Sequence, residues 1–151
     1  MKKHFLLLVY YFLFSVCGMY AQYYSASFIP DSMKANAYCV IRDYIRTYEL
    51  QKVNSGIIRV RKAITVLTKE GDRYADMTIP YDKNSIVSIK EIIIYDGNGK
   101  VVKTVKQSEI NDYPAFSSSE LYSQNRIKHY NPDHAIYPYT VAYEYEVRND
   151  N

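Results

Sequence analysis

The chain has 151 residues, which is room for one ordinary domain. Its apolar fraction of 48% and charged fraction of 23% are close to those of globular proteins, so the composition excludes a disordered or fibrous chain. The formal net charge of +3 at pH 7 is too small to indicate nucleic-acid binding. Tyrosine stands out, with 18 Tyr beside 5 Phe and no Trp, and this residue suits half-buried positions of β-sheets.

The first 21 residues have the pattern of a secretory signal peptide. A basic start at positions 2–4 is followed by an apolar run from 5 to 16 and by small residues that end at Ala21. The run has about 12 residues, fewer than the roughly 20 that a membrane-spanning helix needs. We therefore expect cleavage after Ala21, with an uncleaved anchor as one alternative. Lipidation at Cys17 is another, although Val16 is larger than the small residue that precedes such a cysteine.

Loss of this leader changes both the charge and the cysteine count. It removes Lys2 and Lys3 from 19 basic residues that face 16 acidic ones, so the net charge falls from +3 to +1. Cys17 leaves as well, and Cys39 then has no partner for an intramolecular disulfide. We expect a protein exported to the periplasm or cell surface of a Gram-negative bacterium, with no membrane contact after cleavage and stabilised by its core alone.

Residues 22–36 are predicted to form an N-terminal arm that leads into the domain. Asp31 and Ser32 precede a short stretch that favours one helical turn, and either side chain can cap its free amide groups. From residue 37 to residue 148 the pattern is that of a β domain. The predicted strands cover residues 39–53, 57–68, 75–81, 85–96, 100–105, 121–130 and 139–148.

Several residues refine this prediction. Lys62 interrupts the apolar face of the second strand, which indicates a bend or bulge there. Pro80 removes a backbone donor from the third strand, so that strand is expected to lie at a sheet edge or to end there. The Asp-Gly-Asn-Gly stretch at 96–99 predicts a hairpin between two β-rich runs. Residues 108–119 read as a long polar loop, and the last two strands are expected to pair through the connection at 131–138.

Six or seven short strands with turns between them and almost no helical periodicity predict an all-β fold, an antiparallel β-sandwich. This organisation disfavours α/β folds and their nucleotide sites.

The last strand alternates clearly and lies close to the end of the sequence. Tyr143, Tyr145 and Val147 are predicted to pack inward, with Glu144, Glu146 and Arg148 facing solvent or a neighbouring strand. This position indicates either a last edge strand or a fragment of a longer chain. If the strand is paired on one side only, its unpaired backbone groups favour association, and we expect a marginally stable domain that dimerises or aggregates here unless more chain is appended.

The sequence contains no convincing catalytic or metal-binding pattern. Cys39 lies in an apolar strand, with nothing to place His129 or His134 beside it as a base. The two histidines are five residues apart, a spacing that does not converge on one ion. The stretch at 96–99 resembles a calcium loop, but Lys100 takes the place of a ligand, so a turn is expected. We expect no catalytic residue, no cofactor and no metal site.

Aromatic residues cluster in the loop-rich last third of the chain, where binding residues tend to lie. They are Tyr113, Phe116, Tyr122, Tyr130, Tyr137 and Tyr139. If their rings are exposed, they form a surface for a glycan or a peptide; otherwise they cover the ends of the sandwich.

Four stretches together resemble one family. They are KEGDRYADMTIPYDK, IYDGNGKVVK, SEINDYPAFSSSELYS and YPYTVAYEYE, at residues 69–83, 94–103, 108–123 and 137–146. In this order they are similar to the domain of unknown function that precedes transglutaminase-like domains in exported bacterial proteins. The resemblance covers about residues 37–147.

The resemblance implies an N-terminal β-sandwich that is followed, in the family, by a papain-like catalytic domain. That catalytic domain is absent here, so Cys39 inherits no catalytic role, and the chain is expected to be an N-terminal portion truncated near its last strand. The function that the resemblance implies is a non-catalytic accessory or docking module, with a transglutaminase-like domain or another envelope protein as partner. A glycan- or peptide-binding sandwich is the alternative.

Overall fold

The computed structural model describes residues 23–115 and 124–150. The predicted signal peptide, its cleavage site and Cys17 lie outside the described residues, and so do Phe116 and Tyr122.

The described part of the chain is mostly β. Its strands are β1 (Cys39–Lys52), β2 (Ser55–Val66), β3 (Met77–Tyr81), β4 (Ser85–Tyr95), β5 (Val101–Thr104), β6 (Asn111–Pro114), β7 (Arg126–Tyr130) and β8 (Tyr139–Asp150). Two single helical turns, α1 (Asp31–Lys34) and α2 (Asp72–Ala75), accompany 3-10 turns at Ala26–Phe28, Lys69–Gly71 and Gln107–Glu109.

These strands form two antiparallel sheets. The larger has the order β1-β2-β8-β4-β5, and the smaller has the order β3-β7-β6. The predicted antiparallel β-sandwich is therefore confirmed, and so is the position of β3 at a sheet edge.

The strand order corrects two predictions about β8. It lies in the middle of the larger sheet, hydrogen-bonded to β2 on one side and β4 on the other, so it is not an edge strand. It also does not pair with β7, which belongs to the smaller sheet. Local sequence fixes the alternation of a strand, but its neighbours are set by contacts between distant residues. The inward packing of Tyr143, Tyr145 and Val147 is confirmed, because all three contact the core.

The predicted loop at 108–119 contains a strand that the polar composition hides. Asn111–Pro114 pairs with β7 as the strand β6, because Asp112 and its neighbours find partners in a distant part of the chain. The remaining positions of that loop, 116–119, lie outside the described residues.

The predicted bulge lies beside Lys62 in space, but on the neighbouring strand. Strand β2 runs in continuous register against β8, whereas β1 has an extra residue, Arg42, between Ile41 and Asp43. This insertion changes the alternation of β1, so that Ile41 and Tyr44, three residues apart, share the inner face.

The helical turn predicted near Asp31 is present, but its cap is not. Asp31 is the first helical residue, Pro30 precedes it, and the Asp31 carboxylate accepts from Lys34 Nζ at 2.8 Å. The 3-10 turn at Lys69–Gly71 leads directly into α2. Gly71 is required there because a Cβ at this position would lie 2.3 Å from the carbonyl oxygen of Tyr38.

The core lies at one end of the sandwich, where the smaller sheet covers the larger. We call this the closed end. Its fully or nearly fully buried side chains come from both sheets: Ile64, Val66, Met77, Ile79, Ile92, Ile94, Tyr130, Tyr139 and Val141.

The N-terminal arm packs against the outer face of the larger sheet at the closed end. The bulge residue Arg42 donates to the carbonyl oxygens of Tyr23 at 2.8 Å and Ser25 at 3.1 Å. Thr140 donates to the carbonyl of Tyr24, whose ring lies 4.7 Å from that of Tyr95. The bulge therefore provides the anchor for the arm.

Candidate functional site

The two sheets diverge at the end opposite the core and leave a cleft between them. Two cavities of about 660 Å³ and 310 Å³ share Val60, Thr78 and Tyr145 in their walls, so they adjoin in one cleft. We call it the open cleft. One wall is the inner face of β1, β2 and β8, and the other is the edge strand β3.

The open cleft exists because the two sheets differ in strand length. Strands β1 and β2 have 14 and 12 residues, whereas β3 and β7 have five each and β6 has four. At about 3.3 Å per residue the shorter strands cannot cover the longer ones. The described residues therefore leave the inner face of the larger sheet uncovered at this end.

Two cations lie on this uncovered face. Arg46 pairs with Val60, and Lys62, two residues further along β2, pairs with Tyr44, so the two cations are diagonal neighbours. The Arg46 guanidinium lies 4.9 Å from the centre of the Tyr48 ring. Neither cation forms an ion pair with a carboxylate of the described residues.

The environment of Lys62 is partly apolar. Its Nζ lies 5.8 Å from the centre of the Tyr143 ring, and burial lowers the pKa of the ammonium group. A half-buried cation without a carboxylate is an unusual element of an inner sheet face, because desolvation is not offset by an ion pair.

The opposite wall carries an incompletely satisfied carboxylate, Asp76, which precedes β3 and lines the cleft. One of its oxygens, Oδ2, lies 3.7 Å from His129 Nε2. The other, Oδ1, is buried and has no hydrogen-bond partner among the described residues.

A charged cluster ties the three short strands together beside the cleft. Asp112 on β6 accepts from Tyr81 Oη at 2.8 Å, from Arg126 Nε at 2.9 Å and from Lys128 Nζ at 2.8 Å. These bonds, with that from Lys128 the strongest, lower the pKa of Asp112 to about 2. We call these four residues the Asp112 cluster. Sequence reasoning missed it because its members come from three separated strands.

The structure disperses the aromatic surface predicted for the last third of the chain. Tyr130 and Tyr139 are only 4% and 1% exposed, so neither belongs to an exposed surface. The sequence predicts a loop-rich region around both rings. In the structure Tyr130 belongs to β7 and Tyr139 to the central strand β8, and both rings pack in the core. Tyr113 on β6 is exposed, while Phe116 and Tyr122 lie outside the described residues.

Tyr137 has a structural partner. Its hydroxyl donates to Asp72 Oδ2 at 2.6 Å, and that of Tyr139 donates to Asp72 Oδ1 at 2.9 Å. The bond to Asp72 raises the pKa of Tyr137 to about 12. This pair of bonds joins α2 to the start of β8. Tyr137 therefore has a structural role in addition to its predicted role in a binding surface.

The residues weighed for catalysis and metal binding do not converge. Cys39 is half-buried, and burial raises the pKa of its thiol, the opposite of what activates a nucleophile. His134 packs edge-on against the Tyr139 ring at 5.0 Å, whereas His129 lies near Asp76. Within 23–115 and 124–150, no group of three or more His, Cys, Asp or Glu could hold a metal ion.

The stretch at 96–99 is the predicted hairpin turn. Asp96 Oδ1 accepts from the backbone N–H groups of Asn98 and Lys100, and Gly99 has a φ of 83° that favours glycine. Asp96 is thus engaged as a turn cap.

Glu146 faces neighbouring strands, one of the two alternatives predicted for it. Its carboxylate accepts from Arg59 at 2.8 Å and from Lys90 at 2.9 Å on the outer face of the larger sheet. The pairing arises because β8 lies between the strands that carry the two cations.

In the part of the chain that the structure describes, no helix is both long enough and apolar enough to cross a membrane.

Among solved structures, the fold is similar to the crystal structure of a "putative protease" from Parabacteroides distasonis ATCC 8503. The TM-score is 0.66 at 13% sequence identity, and the match covers 75% of this chain and 23% of that chain. At this identity the similarity concerns the fold alone. The search of curated proteins found no match.

A family model described as a domain of unknown function with solved structure, DUF3857, matches residues 52–151. This range begins at the end of β1 and includes β2 to β8, the strands that build both sheets. Because the match covers more than half of the sequence, the chain belongs to the DUF3857 family.

Proposed function

We propose that the chain is a non-catalytic accessory module that docks a transglutaminase-like catalytic domain in the envelope of a Gram-negative bacterium. The resemblance of the four sequence stretches supports this partner. The fold match supports a modular role, since the aligned region is 23% of a longer chain described as a "putative protease".

The observation that carries the docking role is an exposed apolar hairpin tip, formed by Tyr48, Leu50 and Val53 at the β1–β2 turn. Leu50 is 85% and Val53 97% exposed, although both belong to a strand or its turn in a well-formed sheet. Large apolar side chains grouped on a projecting element are typical of a surface that a partner covers.

The non-catalytic assignment is supported by the chemistry of Cys39. Burial raises the pKa of its thiol, which keeps the group protonated. The charged side chain that acts on this pKa is that of Lys62, not that of a histidine base. A nucleophilic role would need the opposite shift.

The docking role is tested with the full chain, purified after export, and a transglutaminase-like domain encoded in the same reading frame or in an adjacent gene. We expect calorimetry to detect binding, and Leu50→Asp to weaken it about tenfold, since a charge would then be buried in an apolar contact. Val102→Asp, an exposed apolar position on the opposite sheet edge, is the matched control. If no such domain is encoded nearby, or if the pair does not bind, the proposal is wrong.

The second candidate, a glycan- or peptide-binding function, keeps support from a different set of tyrosines. The predicted surface loses Tyr130 and Tyr139 to the core, but Tyr44 and Tyr145 line the open cleft. The cleft is bounded by a free strand edge, which favours a peptide over a sugar as its occupant.

A further inference from the structure

We propose that the open cleft binds an extended polypeptide segment, which pairs with the free edge of β3 and places an acidic side chain beside Arg46 and Lys62. This inference deepens the peptide-binding candidate and does not depend on the docking of a catalytic domain at the hairpin tip.

The free edge of β3 supplies backbone groups for such a segment. Among residues 23–115 and 124–150, strand β3 pairs with β7 on one side only. Proline in a sheet places its nitrogen away from the hydrogen-bonded ladder, so Pro80 lies with its backbone groups toward the free edge. Thr78, two residues earlier, has the same orientation and offers an N–H and a C=O there. A strand added at this edge would extend the smaller sheet over the uncovered face.

The added strand would face the cations directly. Val60, Thr78 and Tyr145 line both parts of the cleft, so the space above the Arg46–Val60–Tyr145 row is continuous with the edge of β3. Alternate side chains of the segment would point at this row and at Lys62. The opposite set of side chains would point to solvent.

The positive charge of the open cleft determines which side chains fit the inward positions of the bound segment. Covering Arg46 and Lys62 with an apolar segment would bury two cations that form no ion pair with a carboxylate of the described residues, at a high desolvation cost. One carboxylate from the segment offsets this cost, and the tyrosine rings and Val60 accept apolar neighbours.

The occupant is therefore an extended segment whose inward positions are apolar, acidic and apolar. About five or six residues are enough, since β3 itself has five. A sugar would satisfy the rings but would not provide the backbone groups that the β3 edge requires.

The probe is a fluorescein-labelled peptide, Val-Thr-Glu-Thr-Val-Thr, compared with the same peptide carrying Lys in place of Glu. Fluorescence anisotropy with the full chain should show the Glu peptide binding at least about tenfold more tightly than the Lys peptide, a difference that corresponds to roughly 1.4 kcal/mol. The difference should shrink in high salt, because part of it is electrostatic.

Two substitutions locate the binding site. Arg46→Glu should weaken binding of the Glu peptide about tenfold and improve binding of the Lys peptide. Arg148→Glu, an exposed charge reversal on β8, is the matched control and should leave both affinities within about twofold. Arg46 is exposed, so both variants are expected to fold, which circular dichroism verifies.

Tyr48→Ala provides a second measurement that does not involve a charge. It removes the ring under the Arg46 guanidinium and should weaken binding of the Glu peptide about threefold. Equal affinities for the two peptides, no binding of either, or equal effects of Arg46→Glu and Arg148→Glu would overturn the proposal. Binding of an oligosaccharide on a glycan array, without peptide binding, would overturn the proposal in favour of a sugar. Sedimentation of the chain as a dimer that excludes the Glu peptide would overturn it in favour of a second copy of the chain.

Discussion

The closed end and the open end of the sandwich are built from the same strands, yet they differ in how they are stabilised. On β2, Ile64 is 1% exposed at the closed end, whereas Ile58, on the same face six residues earlier, is only half-buried. On β8, Val141 is fully buried and Val147 is half-buried. The difference lies in the smaller sheet, which covers one end and not the other.

The two ends therefore use different interactions. The closed end is held by interdigitated aliphatic and aromatic side chains from both sheets. Near the open end the short strands are tied by the Asp112 cluster, which remains in contact with solvent. A regular alternating strand thus specifies which side chains face inward but not how deeply they are buried.

The largest expected effect is a truncation in the closed end. Ile64→Ala should lower the free energy of unfolding by about 3 to 4 kcal/mol, because it leaves a cavity between two fixed sheets. Ile58→Ala on the same strand should cost about 1 kcal/mol or less, since its neighbours are open to solvent. Urea unfolding followed by circular dichroism measures both. Equal losses at the two positions would contradict the distinction between the two ends.

A smaller effect is expected from a methyl group added near the closed end. Gly71→Ala should destabilise the fold by about 2 kcal/mol, because the new Cβ collides with backbone that cannot move away. Gly56→Ala, beside the hairpin tip, places its Cβ 3.3 Å from the carbonyl oxygen of Glu49 and should cost less than about 1 kcal/mol. Thermal melts of the two variants provide the comparison, and a cost at Gly56 equal to that at Gly71 would contradict it.

The anchoring of the arm tests the outer face of the closed end. Arg42→Met should cost about 1 kcal/mol, because two backbone carbonyls lose a charged donor near the surface. Hydrogen exchange should become faster in the arm near Tyr24 and remain unchanged in β8 beyond Thr140. Arg46→Met, on the same strand at the open end, should leave exchange in the arm unaffected. Protection of the arm that is identical in Arg42→Met and in the parent chain would show that the bulge does not anchor it.

The smallest expected effect concerns pH and the Asp112 cluster. The folded pKa of about 2 is below the unfolded value of about 3.9, so the ionised carboxylate stabilises the fold above pH 4. This contribution, about 1 kcal/mol after allowance for solvent exposure, should be lost as the pH falls from about 4 to about 2. Asp112→Asn should reduce that part of the pH dependence.

The control for the pH experiment is Asp31→Asn, a change in an exposed ion pair of α1. Lys34 also lowers the pKa of Asp31, but this carboxylate is fully exposed, so the slope of the unfolding free energy between pH 6 and pH 2 should change less in this variant than in Asp112→Asn. A slope that Asp112→Asn leaves unchanged would show that the cluster does not contribute to stability at the open end.

The sequence by itself determined the class of fold and most of its elements. Alternation along 139–148 identified the inward residues of β8, Pro80 placed β3 at an edge, and the Asp-Gly-Asn-Gly stretch located a hairpin. These are local properties, set by backbone preferences and side-chain period. The leader at 1–21 also follows from sequence alone and remains a prediction.

Only the tertiary structure decided which strands are neighbours and which faces are covered. The central place of β8, the hidden strand β6 and the bulge at Arg42 depend on pairing between residues far apart in the chain. Burial of Tyr130 and Tyr139, and exposure of the cleft around Arg46 and Lys62, follow from that pairing. A strand pattern records the difference between two faces of one sheet, whereas burial depends on the length and position of a second sheet, which no local pattern contains.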